Sequence, residues 1–228
     1  MKAAHIAALV ACAAFLLPHS AAHAAPFAVD LGDMRLALDA PAGFSDTGFI
    51  ASPRLGELAE SLTSASNRIL LFAISDADLR RFTLGDTPAL RRYMLAVTPK
   101  GLERGRVGQQ EFSSFVESAL RGIGTPLPPA GNYFAYINAQ PRGRVSLLAE
   151  LRRTPEAVAI LQGTRLPPLT ERPEEPARYV LSSTALLRLR GKALNLSIYS
   201  AYEGPEDLEW IRLTTAQWIE DLERLNNR

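Results

Sequence analysis

Two long β-rich runs followed by an amphipathic helix fill the C-terminal third of the chain. The runs cover 179–189 and 193–201 and flank an Arg-Gly-Lys sequence at 190–192, which is typical of a hairpin turn. From 194 to 199 apolar and polar residues alternate, so one face of this hairpin is expected to be buried. An apolar face of this length requires another element to cover it.

The closing helix is predicted to provide that cover. It begins at Gly204-Pro205, and the acidic residues Glu206 and Asp207 in its first turn suit the positive end of the helix dipole. Its core-facing positions share one stripe and are Leu208, Ile211, Thr215, Trp218, Leu222 and Leu225. We expect the Trp-bearing stripe to pack on the hairpin.

Further strands and helices are predicted from hydrophobic periodicity. The predicted strands are 27–31 and 34–38, joined by Gly32-Asp33, then 69–74, 92–98, 133–137 and 145–151. The predicted helices begin at Ser52-Pro53, with Asn67 as C-cap, and at Ser75, and cover 109–120 and 155–161, the last capped by Thr154.

The fold class that follows is α+β. A mainly antiparallel sheet has helices packed against it, and a long C-terminal hairpin is followed by a Trp-containing closing helix. Two proline-rich segments, 125–131 and 166–177, are expected to be surface loops. Residues 25–228 are expected to form one domain.

The first 24 residues have the pattern of a cleavable signal peptide. Lys2 precedes an apolar stretch at 6–17, and Ala22 and Ala24 supply the small side chains that a signal peptidase requires. We expect cleavage between Ala24 and Ala25, a periplasmic or secreted location and no membrane span after cleavage.

Two alternatives to simple cleavage remain open. An uncleaved membrane anchor is disfavoured because the apolar stretch is shorter than the roughly 20 residues that span a bilayer. Lipid attachment at Cys12 is a second alternative, since residues 9–12 resemble a lipobox, but the apolar stretch continues past the cysteine.

Cleavage would remove every histidine and the only cysteine. His5, His19, His23 and Cys12 all lie before Ala25, and the remaining 204 residues contain neither type. Catalysis by Ser-His-Asp or Cys-His groups, disulfides and His/Cys zinc sites are therefore excluded for a mature chain. Loss of Lys2 also leaves 24 basic and 24 acidic residues, so no nucleic-acid partner is predicted.

The order of these elements, with a Pro-x-Gly-Phe sequence at 41–44, resembles the PsbP/Mog1/DcrB-like architecture. The stretch 190–202, followed by Asp-Leu-Glu-Trp at 207–210 and by Trp218, looks like the ending of uncharacterised exported proteobacterial proteins. The resemblance implies an antiparallel sheet covered by helices and an envelope location. It carries over no catalytic residue, since this architecture serves diverse binding roles.

Few residues qualify as candidates for chemistry. Asp76 and Asp78 could bind a divalent cation, but a capping role at the start of a helix is favoured. Lys100 and Lys192 are the only lysines after residue 24 and are interpreted as an exposed strand end and a turn residue. The acids of the final helix lie largely off its apolar stripe and are interpreted as solvated.

One aromatic group could form a binding lip. Tyr133, Phe134 and Tyr136 follow the first proline-rich segment, although packing in the core is the favoured interpretation of such a cluster.

Three functions are compatible with these sequence features. The leading hypothesis is a non-enzymatic module that binds an envelope protein and has apolar surface beside the two proline-rich segments. The alternative is a carrier of a lipid or small apolar ligand, which needs an apolar pocket of several hundred Å³ between sheet and helices. The third is a hydrolase with carboxylates or a Ser-Lys pair converging in a cleft. No catalytic residue, metal or cofactor is predicted.

Overall fold

The computed structural model describes residues 25–127, 132–168 and 176–227. The proposed signal peptide, with Cys12 and the three histidines, lies outside these residues. Parts of the two proline-rich segments, 128–131 and 169–175, also lie outside them.

The predicted α+β fold with a mainly antiparallel sheet is confirmed. The strands in chain order are β1 (Phe27–Leu31), β2 (Met34–Leu38), β3 (Phe44–Asp46), β4 (Asn67–Ser75), β5 (Arg92–Pro99), β6 (Val145–Arg153), β7 (Ala157–Arg165), β8 (Tyr179–Leu189) and β9 (Lys192–Ala201). β1 and β2 form a separate hairpin, and the other strands form a sheet of order β3-β4-β5-β9-β8-β7-β6 in which every pair is antiparallel.

Helices cover both faces of this sheet. They are α1 (Pro53–Ser61), α2 (Asp76–Thr83), α3 (Gln109–Leu120), α4 (Tyr133–Ala139) and α5 (Pro205–Asn226), with a short 3₁₀ turn at Lys100–Leu102. α4, α5 and the β1–β2 hairpin share the largest core with one sheet face. α1 and α2 cover β4 and β5 on the opposite face, and α3 covers the far end of β7, β8 and β9 there.

The Trp-bearing stripe of α5 packs on the C-terminal hairpin, as predicted. Trp218 is buried with Leu194 and Leu196 of β9, and its indole Nε1 donates a 2.8 Å hydrogen bond to the carbonyl of Asp39. Near the C-terminal end of α5, the Asn226 amide accepts from the Ala37 N–H and donates to the Ala37 carbonyl, both at 2.9 Å. These bonds fasten the β1–β2 hairpin to the closing helix.

The predicted helix at 155–161 is wrong, because these residues form a tight turn and the first half of β7. Thr154 and Ala157 close the turn with a backbone bond of 2.8 Å, and the Thr154 hydroxyl accepts from the Ala157 N–H at 3.0 Å. Residues 157–161 are buried throughout. A central strand buried on both faces has a continuous apolar run instead of alternation, and therefore resembles a buried helix in sequence.

Two smaller predictions are also wrong. Residues 133–137 belong to helix α4, whose N-cap Asn132 accepts a 3.0 Å bond from the Ala135 N–H. Asn67 starts β4 and does not cap α1, which ends at Ser61.

Lys192 is a buried strand residue and not a turn residue. The turn consists of Arg190 and Gly191 alone, with φ values of 52° and 78° that suit a two-residue hairpin turn. The Lys192 side chain is 1% exposed, and its ammonium donates to the carbonyls of residues 103, 104 and 105 at 2.8–3.3 Å and lies 3.3 Å from the Asp33 carboxylate. One ammonium thereby joins the loop at 103–105 to the β1–β2 turn.

Candidate functional site

An aromatic patch, in which Phe134 is exposed and Tyr179 and Tyr202 are buried, lies where the two proline-rich segments meet the folded chain. Phe134 of α4 is 42% exposed, and its ring centre lies 4.6 Å from that of Tyr179 and 5.8 Å from that of Tyr202. One exposed apolar ring, that of Phe134, therefore lies beside the two segments in the described residues.

A groove of about 440 Å³ continues from this patch around the end of the sheet. Its walls come from the residues before β5, the start of β8 and the end of β9, and include Leu90, Tyr93, Leu166, Tyr179, Tyr199 and Tyr202. Tyr93 and Tyr199 are directly opposite each other in the ladder, and their rings stack at 4.6 Å with an interplanar angle of 12°. We call the patch and groove together the aromatic groove.

Helix α4 is held so that Phe134 faces outward. Tyr133 and Ile137 are buried on its inner side, and a Cβ at Gly163 of β7 would lie only 2.3 Å from the Ile137 side chain. The Tyr179 hydroxyl donates a 2.6 Å hydrogen bond to the Asn138 side chain. The close approach that Gly163 permits lets the helix pack directly on β7.

The opposite wall contains a residue in an unusual conformation. Leu90 has φ of 50°, in the left-handed region that a branched side chain rarely adopts, and it lines the groove. The preceding Ala89 is held by a 2.8 Å bond from its N–H to the buried carboxylate of Asp78.

Three tyrosines of the groove, Tyr93, Tyr199 and Tyr202, have pKa values raised above the ordinary value. Burial and the neighbouring Tyr199 raise the pKa of Tyr93 to about 12. Burial also raises the pKa of Tyr199, and burial together with Asp207 raises that of Tyr202. The rim is charged, with an Arg91–Glu203 ion pair at 2.5 Å in which both side chains are 59% exposed.

Alkaline pH is expected to destabilise the folded chain through these tyrosines. A group whose pKa is raised by folding contributes stability that is fully present below its unfolded pKa, about 10 for tyrosine, and is lost as pH rises through the folded pKa. Ultraviolet titration of the folded protein should show a phenolate forming near pH 12 that is missing in Tyr93→Phe. Complete titration near pH 10 in the wild type would contradict this assignment.

The other sequence candidates have structural roles. Ser75 accepts from the Asp78 N–H at 3.1 Å, which confirms the favoured capping role at the start of α2, and Asp76 accepts from the Ser45 hydroxyl at 2.7 Å. The described residues contain no group of three acids, histidines or cysteines placed to hold a metal. Lys100 donates to the carbonyl of Ala65 at 2.8 Å.

The α5 acids that lie closest to the sheet are paired with arginines. The Asp207 carboxylate accepts a 2.8 Å hydrogen bond from Arg92, and both oxygens of the Glu223 carboxylate accept hydrogen bonds from Arg152. Burial acts to raise the pKa of Asp207, but bonds from Arg92 and from two backbone N–H groups outweigh it and hold the pKa below its ordinary value. This arrangement anchors the start of α5.

The structure separates the three residues of the predicted lip. Tyr133 is buried, Tyr136 is half-buried, and Phe134 alone among them is largely exposed. Sequence reasoning did not single out Tyr93, Tyr179 and Tyr202, whose proximity depends on strand order. The sequence identified Tyr199 only as a residue on the polar side of the alternating pattern in β9.

No protein-family model matches the chain, and no curated protein matches it by sequence. Among solved structures it is similar to Mog1p, a Ran-binding protein of Saccharomyces cerevisiae, with 13% identity over 88% of this chain and 94% of that one and a TM-score of 0.39. A variant of Mog1 gives the same identity and TM-score over 89% and 95% of the two chains. Membership of an exported proteobacterial family stays a prediction.

Within the described residues, no helix combines the length and apolarity required to cross a membrane.

Proposed function

We propose that this chain is an exported, non-enzymatic module that binds a protein partner through the aromatic groove. The observation that carries the proposal is the exposed Phe134 ring in contact with Tyr179 and Tyr202, next to the stacked pair of Tyr93 and Tyr199. Aromatic side chains are enriched at protein interfaces and supply much of their binding energy.

The layout of charge around the groove supports a protein partner. Tyrosine rings line the groove, while the Arg91–Glu203 pair beside them is largely exposed. An aromatic centre with a polar, solvated rim is the usual anatomy of a protein interface.

The shape of the groove favours an extended segment of that partner. It runs around the sheet end, with Tyr179 and Tyr202 packed on the core of one face and Tyr93 and Tyr199 packed on the other. Extended proline-rich segments bind aromatic-lined grooves because their backbone is already ordered and loses little conformational entropy on binding.

Site-specific photo-crosslinking tests the location of the interface. A photoreactive amino acid in place of Phe134 is expected to give a discrete cross-linked product with one envelope protein. The same amino acid in place of Leu213, which is 61% exposed on α5, is the matched control and should not give that product. Equal cross-linking from the two positions would contradict the proposed interface.

Export is part of the proposal and has its own test. Protein recovered from the periplasmic fraction of a bacterial host is expected to have the intact mass of a chain that begins at Ala25, because Ala22 and Ala24 suit the peptidase. A Cys12→Ser variant should be processed at the same bond and reach the same fraction. A full-length mass, or a lipid-modified chain beginning at Cys12, would contradict cleavage after Ala24.

A further inference from the structure

An excess of positive charge lies beside the aromatic groove. Residues 132–149, 157–168 and 176–187, which form α4, β7, most of β8 and the start of β6, contain no aspartate or glutamate. They contain four arginines, which we call the basic rim: Arg142, Arg144, Arg165 and Arg178. Since residues 25–228 hold equal numbers of basic and acidic residues, this excess is a local feature of one end of the sheet.

Backbone bonds hold the basic rim against the groove. The turn before β6, which carries two of the arginines, donates a 2.7 Å bond from the Gly143 N–H to the Arg165 carbonyl. The next residue, Leu166, donates from its N–H to the Arg178 carbonyl at 2.8 Å. Leu166 and Arg178 both line the groove, so the basic rim continues directly from the groove wall.

Arg165 lies on the sheet face that α4 covers. It is directly opposite Tyr179 in the β7–β8 ladder, and directly opposite residues point to the same face. Its guanidinium donates to the Asn138 carbonyl of α4 at 3.1 Å, and the Tyr179 ring contacts that of Phe134. The basic rim and the exposed aromatic ring therefore lie side by side.

The charges of the groove and the basic rim do not cancel. Arg142 and Arg144 are exposed and make no ion pair or side-chain hydrogen bond with the described residues. The other charged residues of the groove, Arg91 and Glu203, are paired with each other, which leaves an excess of four positive charges. Residues 169–175, outside the described part of the chain, hold three glutamates and one arginine, so an excess of two remains when they are counted.

We infer that the partner segment bound by the aromatic groove is acidic, with carboxylates beside the residues that occupy the groove. The inference rests on the proposed function and adds the charge of the partner to it. Complementary charge of this kind acts mainly by raising the rate of association. Salt weakens it, since exposed charges are screened over about 8 Å at physiological ionic strength.

An anionic membrane surface is the competing occupant, and the observations favour a protein segment. Clusters that bind anionic lipids by charge contain about 4–8 basic residues. Only Arg142 and Arg144 of the basic rim are exposed, whereas Arg165 and Arg178 are half-buried and donate to backbone carbonyls of this chain. The basic rim also continues into a groove whose volume of about 440 Å³ suits a peptide segment.

Two synthetic nonapeptides of opposite charge test the inference. Both have a Pro-Pro-Leu-Pro-Pro centre, and one has two glutamates at each end where the other has two lysines. Titrations of the isotope-labelled chain from Ala25, followed by amide chemical shifts, should place the glutamate peptide at residues 142–145, 165–166 and 178–179. At low ionic strength it is expected to bind at least about fivefold more tightly than the lysine peptide, and the ratio should fall in about 0.5 M salt. Equal affinities, tighter binding of the lysine peptide, or no saturable shift with the glutamate peptide would overturn the inference.

Two double variants locate the effect. Arg142→Glu combined with Arg144→Glu should abolish the preference for the glutamate peptide. Arg104→Glu combined with Arg190→Glu changes the net charge equally, but these exposed residues lie beside the β8–β9 turn at the opposite end of the sheet, so the preference should be retained. Equal effects of the two double variants would show that the preference follows net charge, and would overturn the assignment to the basic rim.

Failure of this inference is distinguishable from failure of the groove as a binding site. Phe134→Ala removes the exposed ring without changing charge and should weaken both peptides. Two peptides that bind equally and are both weakened by Phe134→Ala would refute an acidic partner and leave the groove proposal intact. Sedimentation with phosphatidylglycerol vesicles should show no binding that depends on Arg142 and Arg144, and vesicle binding lost in their double variant would overturn the inference in favour of a lipid surface.

Discussion

Replacing Trp218 with alanine is expected to lower the free energy of unfolding by about 3–5 kcal/mol, the range for large aromatic residues in a core. Trp218 is 1% exposed at the centre of the core that joins α5, β9 and the β1–β2 hairpin. The substitution leaves a cavity and also leaves the Asp39 carbonyl without its 2.8 Å indole donor.

Urea unfolding measures this effect, and Trp218→Phe provides the graded control. Phenylalanine keeps most of the ring contacts but cannot donate to the Asp39 carbonyl, so its effect should be clearly smaller than that of alanine. An alanine variant within about 1 kcal/mol of the wild type would show that α5 is not the element that closes the core.

Replacing Lys192 with methionine is expected to lower the free energy of unfolding by about 2–4 kcal/mol. Methionine fills similar space, but the carbonyls of Glu103, Arg104 and Gly105 lose their shared donor. An acceptor left without a donor costs about 1–3 kcal/mol when it is buried, but Arg104 and Gly105 are themselves exposed, so water replaces part of the lost bonding.

Lys100 supplies a matched control for this substitution. It is the other lysine in the described residues, and it also donates to a backbone carbonyl, at 2.8 Å, but it is exposed. Lys100→Met is expected to stay within about 0.5 kcal/mol of the wild type, as surface substitutions usually do. Equal effects of the two substitutions would contradict the role assigned to the buried ammonium.

Hydrophobic periodicity was sufficient to predict an element correctly where that element has one buried face. The C-terminal hairpin alternates apolar and polar residues because one face meets α5, and the stripe of α5 follows from the same requirement. It failed for 157–161, which are buried on both faces and therefore have no alternation. Lys192 was misassigned because a lysine next to a turn glycine is usually exposed, and only the tertiary fold brings three carbonyls to it.

The candidate sites depended even more on tertiary structure. Phe134 could be named from sequence because it follows a proline-rich segment, but its contacts with Tyr179 and Tyr202 require β8 and β9 to end beside α4. These ring contacts cannot be predicted from amino-acid composition.

The central claim is tested most directly by binding measurements with the partner that is identified by cross-linking at position 134. Its affinity is measured for two variants of this chain that each gain a charge. Phe134→Glu and Leu213→Glu each place a carboxylate on an exposed apolar residue, the first in the aromatic groove and the second outside it. If the groove is the interface, Phe134→Glu should weaken binding by roughly thirtyfold or more, since loss of an aromatic anchor typically costs about 2 kcal/mol or more. Leu213→Glu should bind like the wild type, and equal affinities for the two folded variants would contradict the claim.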